Sequence, residues 1–355
     1  MPIINGVRKR WGTVILLLCM SAVLSACTTK ENNQPAQKEE RKEPLIGMSF
    51  DSFLIERWQT DRDFFVDAAR AEGVNVNVQN ANGDVETQLS QIRYLISKPV
   101  DVLVVIGIDA DTLTDVVAEA KEAGIPVIAY DRMIRDGNAD LYISFDNEKV
   151  GRLMGEALAR YSLQKRKVLM LNGPTEDNNV ILISDGFRQV MDKYNIKVVE
   201  EYNVPGWKPE QAVEYLTNHR EILDEIDGIM CGNDNIATAV SRTLAELRMA
   251  GKISVVGQDA DLEACQRIVQ GTQVMTVYKP VELMAKEAAK YACRLAKGGN
   301  LNDVALRIND GSEDIPYVVL DPIAVTKFNI DDTVISAGFH LEEDVYLYVP
   351  GHEKK

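Results

Sequence analysis

The chain has 355 residues, 46% of them hydrophobic and 26% charged, and carries a net charge of −15 at neutral pH. That length holds roughly two domains of about 150 residues, each able to bury its own core, with some chain left for a leader and a linker. So acidic a chain is unsuited to gripping nucleic acid through phosphates or to lying flat on an anionic membrane.

Arg8, Lys9 and Arg10 precede an apolar run over 13–26. The run is shorter than the ~18–20 residues that cross a bilayer, so residues 1–26 read as a signal peptide. It ends in Leu24-Ser25-Ala26-Cys27, a small-residue cleavage site followed directly by cysteine. That pattern resembles a bacterial lipobox and predicts acylation of Cys27, giving an extracytoplasmic protein anchored by lipid to the cell membrane without spanning it. Residues 27–44 are nearly all polar and are expected to form a solvated tether. Loss of residues 1–26 removes three positive and no negative charges, which takes the net charge to about −18.

From Leu45 onward, strand and helix alternate. The short apolar run 45–50 is followed by a helical stretch over 56–72 that Gly73 stops, and 74–79 alternates as a strand. A helix over 84–98 ends at Pro99, 100–106 is a continuous apolar strand, 109–123 a helix stopped by Gly124, and 125–130 another strand. The pattern restarts after Asn147 with a helix to Tyr161. Strands are expected at 167–171, 196–203, 228–231, 253–258 and 273–277, and helices near 181–193, 209–223, 236–249, 262–270 and 280–296. Helix, glycine, strand is a repeated C-cap signal, and Val/Ile/Leu runs between amphipathic helices indicate parallel sheets covered on both faces. There are too many such units for one open sheet and no steady eightfold count for a barrel, so the fold class is α/β with two doubly wound, Rossmann-like lobes.

Among five cysteines, Cys19 leaves with the signal; Cys231, Cys265 and Cys293 remain widely spaced and read as buried free thiols. His219, His340 and His352 have no metal-ligand spacing, so neither a metal site, a cofactor nor a histidine triad is expected.

In open α/β sheets, ligands bind beyond the carboxyl ends of strands. The residues at those positions are Arg57-Trp58, Asp131-Arg132, Asp177-Asn178-Asn179, Trp207, Asn233-Asp234, Asp259 and Lys279. Carboxylates and amide oxygens accept from hydroxyls, cationic and amide nitrogens donate, and an indole covers the C–H face of a pyranose, so this set suits a neutral polyol. Trp11 lies in the signal, which leaves two tryptophans, both in strand-end loops, and predicts one indole from each half facing the other across a cleft. Asp177 and Asp234 read instead as helix N-caps.

At these residues the sequence resembles the periplasmic sugar-binding proteins of ABC transporters, pentose/hexose type. The likeness runs from about Ile46 to His340 on IERWQTDRDFF (55–65), NANGDVETQLSQI (80–92), AYDRMI (129–134), YISFDNEKVG (142–151), GPTEDNN (173–179), GWKPEQA (206–212), GNDNIAT (232–238), GQDADL (257–262), GTQVMTVYKP (271–280) and AGFH (337–340). The resemblance implies the type I periplasmic binding protein fold, two lobes joined by a three-strand hinge. Crossings are expected near 144–147, 259–261 and 321–323, giving a first lobe of 45–145 plus 261–321 and a second of 146–260 plus 322–345. It implies a monomeric, non-enzymatic receptor for one monosaccharide, with D-xylose the nearest match. Trp58 and Trp207 would stack the sugar, while Arg57, Asp131, Arg132, Asn179, Asn233, Asp259 and Lys279 hold its hydroxyls. The closed form would be read by an ABC permease or, alternatively, by a membrane sensor kinase or chemoreceptor. A glycosidase reading of Asp259 and Asp261 is set aside, because Asp261 reads as a hinge or helix-start residue. The loop Asp51-Ser52-Phe53-Leu54 is less polar than such a pocket mouth would suggest, and the tail after His340 suggests no role.

Overall fold

The computed structural model describes residues 43–161 and 163–351; the expected signal peptide, Cys27 and nearly all of the tether lie outside them. In chain order, β1 (Leu45–Phe50), α1 (Arg57–Ala71), β2 (Asn75–Asn80), α2 (Val85–Ser97), β3 (Val102–Val105), α3 (Thr114–Glu122), β4 (Val127–Tyr130) and β5 (Leu141–Phe145) form a first run. A second comprises α4 (Asn147–Arg160), β6 (Lys167–Asn172), α5 (Asn178–Lys193), β7 (Lys197–Asn203), α6 (Pro209–Asn218), β8 (Gly228–Cys231), α7 (Asp234–Glu246), β9 (Ser254–Gln258), α8 (Leu262–Gln270) and β10 (Met275–Tyr278). The last contains α9 (Val281–Ala296), β11 (Arg307–Asn309), β12 (Asp314–Leu320), β13 (Ile323–Val325) and α10 (Glu342–Val345).

The strands form two sheets, ordered β11-β12-β5-β4-β3-β1-β2 and β13-β10-β9-β8-β6-β7. Both are parallel except for one antiparallel edge strand each, β11 on β12 and β13 on β10. The continuous apolar strands are explained by their two covered faces. Val102 and Val104 of β3 point into one core and Leu103 and Val105 into another. In the second sheet Leu169 and Leu171 of β6 take one side while Val168 and Met170 take the other. Each sheet therefore anchors a lobe with helices on both sides, the two-lobed architecture that the resemblance implies.

Three of the expected boundaries need correction. Residues 261–278 belong to the second lobe, because β10 pairs in parallel with β9, Met275 opposite Val256. The chain returns to the first lobe only between β10 and α9, at Lys279–Pro280, and the apolar face of α9 (Val281, Met284, Ala285, Ala288, Ala292) covers the first sheet. The alternation of strand and helix is identical on either side of a crossing, so it carries no mark of sheet membership. Helix α3 starts at Thr114 rather than Asp109, whose side chain instead closes a turn by accepting from the Asp111 N–H at 2.8 Å. The α6 helix stops at Asn218, with a separate 3₁₀ turn over Arg220–Asp224.

The segment after β13 is packed rather than trailing. Ile330, Val334 and Val345 form a small core with Ala260, Cys265, Ile268 and Tyr278. Cys231, Cys265 and Cys293 are free and buried.

Candidate functional site

Loops that follow β1, β4, β6, β7, β8, β9 and β10 line one cavity between the lobes. Its walls are Ile55, Arg57, Trp58, Asp131, Arg132, Asp177, Asn179, Ile183, Trp207, Asn233, Gln258, Asp259 and Lys279. All nine residues expected to hold the ligand are therefore brought together here. Trp58 comes from the first turn of α1 and Trp207 from the second lobe, and both border the same space.

Local backbone geometry puts these side chains there at a cost. Asp131, Trp207 and Asp259 have φ of 62°, 59° and 94°, a region bulky residues avoid and that is concentrated at functional sites. Asp131 is held in it by its own carbonyl, which accepts from Ser144 Oγ at 2.7 Å, Tyr142 Oη at 3.1 Å and Asn179 Nδ2 at 3.1 Å. The Trp207 indole fits because Gly173 and Gly232 leave it room. A Cβ on Gly173 would stand 2.3 Å from the ring, and one on Gly232 would stand 3.1 Å away.

On the first lobe the charged groups are mutually paired. Arg57 grips Asp61 through Nε and Nη2, both at 3.2 Å, and reaches Asp131 at 3.0 Å. Tyr130 donates to Asp61 from behind. Arg132 donates to Asp51 at 2.8 Å and the Gly107 carbonyl at 2.9 Å, and meets Asp177 of the second lobe at 2.8 Å. Guanidinium carbons of Arg57 and Arg132 lie 4.4 and 5.6 Å from the Trp58 ring centroid, within cation–π range. Burial pushes the Asp51, Asp61 and Asp177 carboxyls up, against the pull of Arg132 or Arg57. Burial also raises Asp131, but Arg57, Lys279 and Arg132 outweigh it and hold that carboxyl below its ordinary value. Asp131 is thus a charged acceptor beside a fixed donor.

Other groups around the cavity, most of them on the second lobe, are only partly engaged. Lys279 Nζ sits 3.5 Å from Asp259 Oδ1, a carboxylate oxygen with no hydrogen-bond partner among the described residues. Gln258 Oε1 and the Nε1 of both Trp58 and Trp207 are likewise buried without partners. Buried polar atoms are seldom left so, and four around one cavity mark a place built for a polar guest. Among the described residues, no group of His, Cys, Asp and Glu is arranged to hold a metal ion.

Two of the expected roles change. Asp177 does cap α5, accepting from Asn179 N–H at 3.0 Å, but it also lines the cavity and pairs with Arg132. Asp234 is not the cap of α7; Asn233 is, accepting from Ile236 N–H at 2.9 Å. Asp234 lies one residue inside, fully buried, and accepts from Thr276 Oγ1 at 2.5 Å and Gln273 Nε2 at 2.9 Å. Asp51, Asp61 and Gln258 were not anticipated. The Arg57/Asp61 spacing of four on a helix and the position of Gln258 at a strand end were the available signals.

The "Periplasmic binding protein domain" family profile matches residues 46–300. The D-xylose-binding periplasmic protein of Escherichia coli is 43% identical over 94% of this chain and 98% of that protein. Its namesake from Haemophilus influenzae is 42% identical over 86% of this chain and 93% of its own length. An ABC transporter solute-binding protein from Clostridium phytofermentans, solved with bound β-D-glucose, superposes with a TM-score of 0.76 at 26% identity, covering 85% of this chain and 99% of the other.

Proposed function

The chain belongs to the periplasmic binding protein family, as a non-catalytic, monosaccharide-binding component of an ABC transporter system, and from that premise we propose that its cargo is D-xylose. The nine residues Arg57, Trp58, Asp131, Arg132, Asn179, Trp207, Asn233, Asp259 and Lys279 are the sugar contacts in this reading. The two indoles cover the ring faces, the charged pairs and amides engage the hydroxyls, and the unsatisfied atoms around the cavity find their partners in the sugar. The observation that carries it is the convergence of all nine on one cavity, in a chain 42–43% identical to two D-xylose-binding proteins.

The sugar-loaded form delivers its cargo to a membrane permease. Cys27, after cleavage, tethers the chain to the membrane through residues 27–44, a reading supported by the Leu24-Ser25-Ala26-Cys27 sequence.

Titration with xylose, arabinose, ribose, glucose and galactose, followed by indole fluorescence and calorimetry, tests the assignment. Xylose is expected to bind best, at about micromolar Kd. A tenfold preference for a hexose would reassign the cargo, and silence towards every aldose would end the sugar reading.

A further inference from the structure

The cavity is not the whole of the binding apparatus. Asp259 and Ala260 both have positive φ, 94° and 56°, so two consecutive non-glycine residues hold the turn that carries one of the proposed sugar contacts. Such a turn persists only when its surroundings fix it. The Asp259 N–H is fixed by the Val277 carbonyl at 2.8 Å and the Ala260 N–H by Thr276 Oγ1 at 3.1 Å. The Ala260 carbonyl accepts weakly from the Cys265 thiol at 3.5 Å and, from the far end of the chain, makes its short contact with His340 Nε2 at 2.7 Å. Burial lowers the His340 pKa, so at neutral pH the ring is uncharged, and against a carbonyl its Nε2 can only be the donor.

The residue before it does the matching work on the other strand end. Phe339 packs against Tyr278, ring centroids 5.0 Å apart, and Tyr278 immediately precedes Lys279. Neighbouring rings of Phe339 and His340 are themselves 4.6 Å apart. The segment that carries them is anchored by Ile330, Val334 and Val345 in a core shared with Ala260 and Tyr278, and by Gln266 Nε2 donating to the Asp344 carbonyl at 2.8 Å. Neither Phe339 nor His340 lines the cavity, so neither touches a guest held there.

We propose that Phe339 and His340 are positioning residues for the Asp259–Lys279 pair, so that the C-terminal segment works as a strut setting the geometry of the second wall. The inference rests on the sugar reading above. Without the His340 donor, the Ala260 peptide relaxes, Asp259 swings off its target, and the hydroxyl it would hold is read less sharply.

The full chain tests this with two variants of similar polarity and different reach. In His340→Gln the side-chain amide still reaches the carbonyl, whereas in His340→Asn it stops short. His340→Asn is expected to raise the Kd for D-xylose about tenfold and His340→Gln to stay within about twofold of wild type, with both sugar-free proteins melting alike. Singly deoxygenated xyloses give the readout that general loosening would not move. The penalty for losing one hydroxyl, the one Asp259→Asn also ceases to read, should shrink in His340→Asn while the others stay. Wild-type affinity and profile in His340→Asn, or equal weakening of both variants across all analogues, would overturn the strut while leaving the sugar reading intact. A wild-type chain that binds no aldose removes both.

Discussion

On the first lobe, Arg57, Arg132, Asp51, Asp61, Asp131 and Tyr130 satisfy one another through direct bonds. On the second, Gln258 Oε1, Asp259 Oδ1 and Trp207 Nε1 are buried without a hydrogen-bond partner among the described residues, as is Trp58 Nε1 on the first. The first wall is largely paired, in part with Asp177 and Asn179 from across the cleft, whereas most of the unpaired buried atoms lie on the second. Burying several charges is tolerable only when they are paired and hydrogen-bonded, and the first wall achieves this mostly with its own residues, so it stands largely preorganised. Strained backbone occurs on both walls, at Asp131 on the first and at Trp207 and Asp259 on the second, but on the second it is backed chiefly by packing. Stability and recognition should therefore fail separately, according to which wall is disturbed.

The largest effect is expected at Arg57. Burial works against its charge, but Asp131, Asp61 and Asp259 outweigh that and keep it firmly protonated. Arg57→Leu takes the guanidinium from Asp61 and Asp131 inside the protein, while Asp259 keeps Lys279 at 3.5 Å, and should cost about 3–5 kcal/mol of folding stability by denaturant titration. Lys279→Met, on the other wall, leaves one carboxylate with Arg57 still 3.8 Å away. It should cost about 1–2 kcal/mol in stability but about a hundredfold in sugar affinity. Equal destabilisation by the two would erase the contrast. Next comes Gly173→Ala, whose methyl collides with Trp207. Displacing the indole should weaken sugar binding roughly ten- to a hundredfold, about 1.4–2.8 kcal/mol, with the first lobe's unfolding unchanged.

The same contrast explains what was legible in the sequence. Strand ends are marked by where an apolar run stops, so Asp131, Asn233, Asp259 and Lys279 were all found by that rule. Asp51 follows a strand too, yet a loop reading Asp-Ser-Phe-Leu gave no hint that its carboxylate would turn inward to Arg132. Asp61 was hidden inside a helix, visible only through its spacing from Arg57. Asp177 was assigned one role and fills two, because a cap uses one carboxylate oxygen and leaves the other free for Arg132. The boundary at Lys279–Pro280 was illegible for a different reason: it depends on which strand β10 chooses to join, a long-range pairing with no local signature.

The walls also differ in how they answer pH. Asp131 sits below its ordinary value, so its contribution is present above about pH 4 and fades as pH falls through its folded-state value. Behind the second wall, Asp234 is pushed up to about 7, chiefly by burial, against bonds from Thr276 and Gln273 and the charge of Arg267. Between roughly pH 4 and that value the folded state holds a proton the unfolded state has released, so stability falls as pH rises through the interval. Asp234→Asn removes this term. Its melting temperature should decline less than wild type between pH 5 and 8, by several degrees, in scanning calorimetry. Parallel slopes for the two proteins would show that Asp234 is ionised throughout.

The smallest effect should come where the lobes are joined. Lys149 Nζ and Asp321 Oδ1 stand 2.6 Å apart and link the first crossing to the last, which makes them look like a hinge clasp. The Asp321 side chain is 84% exposed, however, and an ion pair in open water is screened and offset by the freedom its long side chain gives up. Closure is instead supported where water is excluded, by Arg132 with Asp177 and by Asn179 donating to Asp131 at 3.1 Å, both between lobes and both buried. Asp321→Asn should therefore change the xylose Kd less than twofold at physiological salt, with no more than about 0.5 kcal/mol on stability. Asp177→Asn should weaken binding about tenfold, since it removes a charge from a buried pair that forms only when the lobes meet. If Asp321→Asn proved the more damaging of the two, the grip that holds the lobes together would have to be moved from the cavity to the crossings.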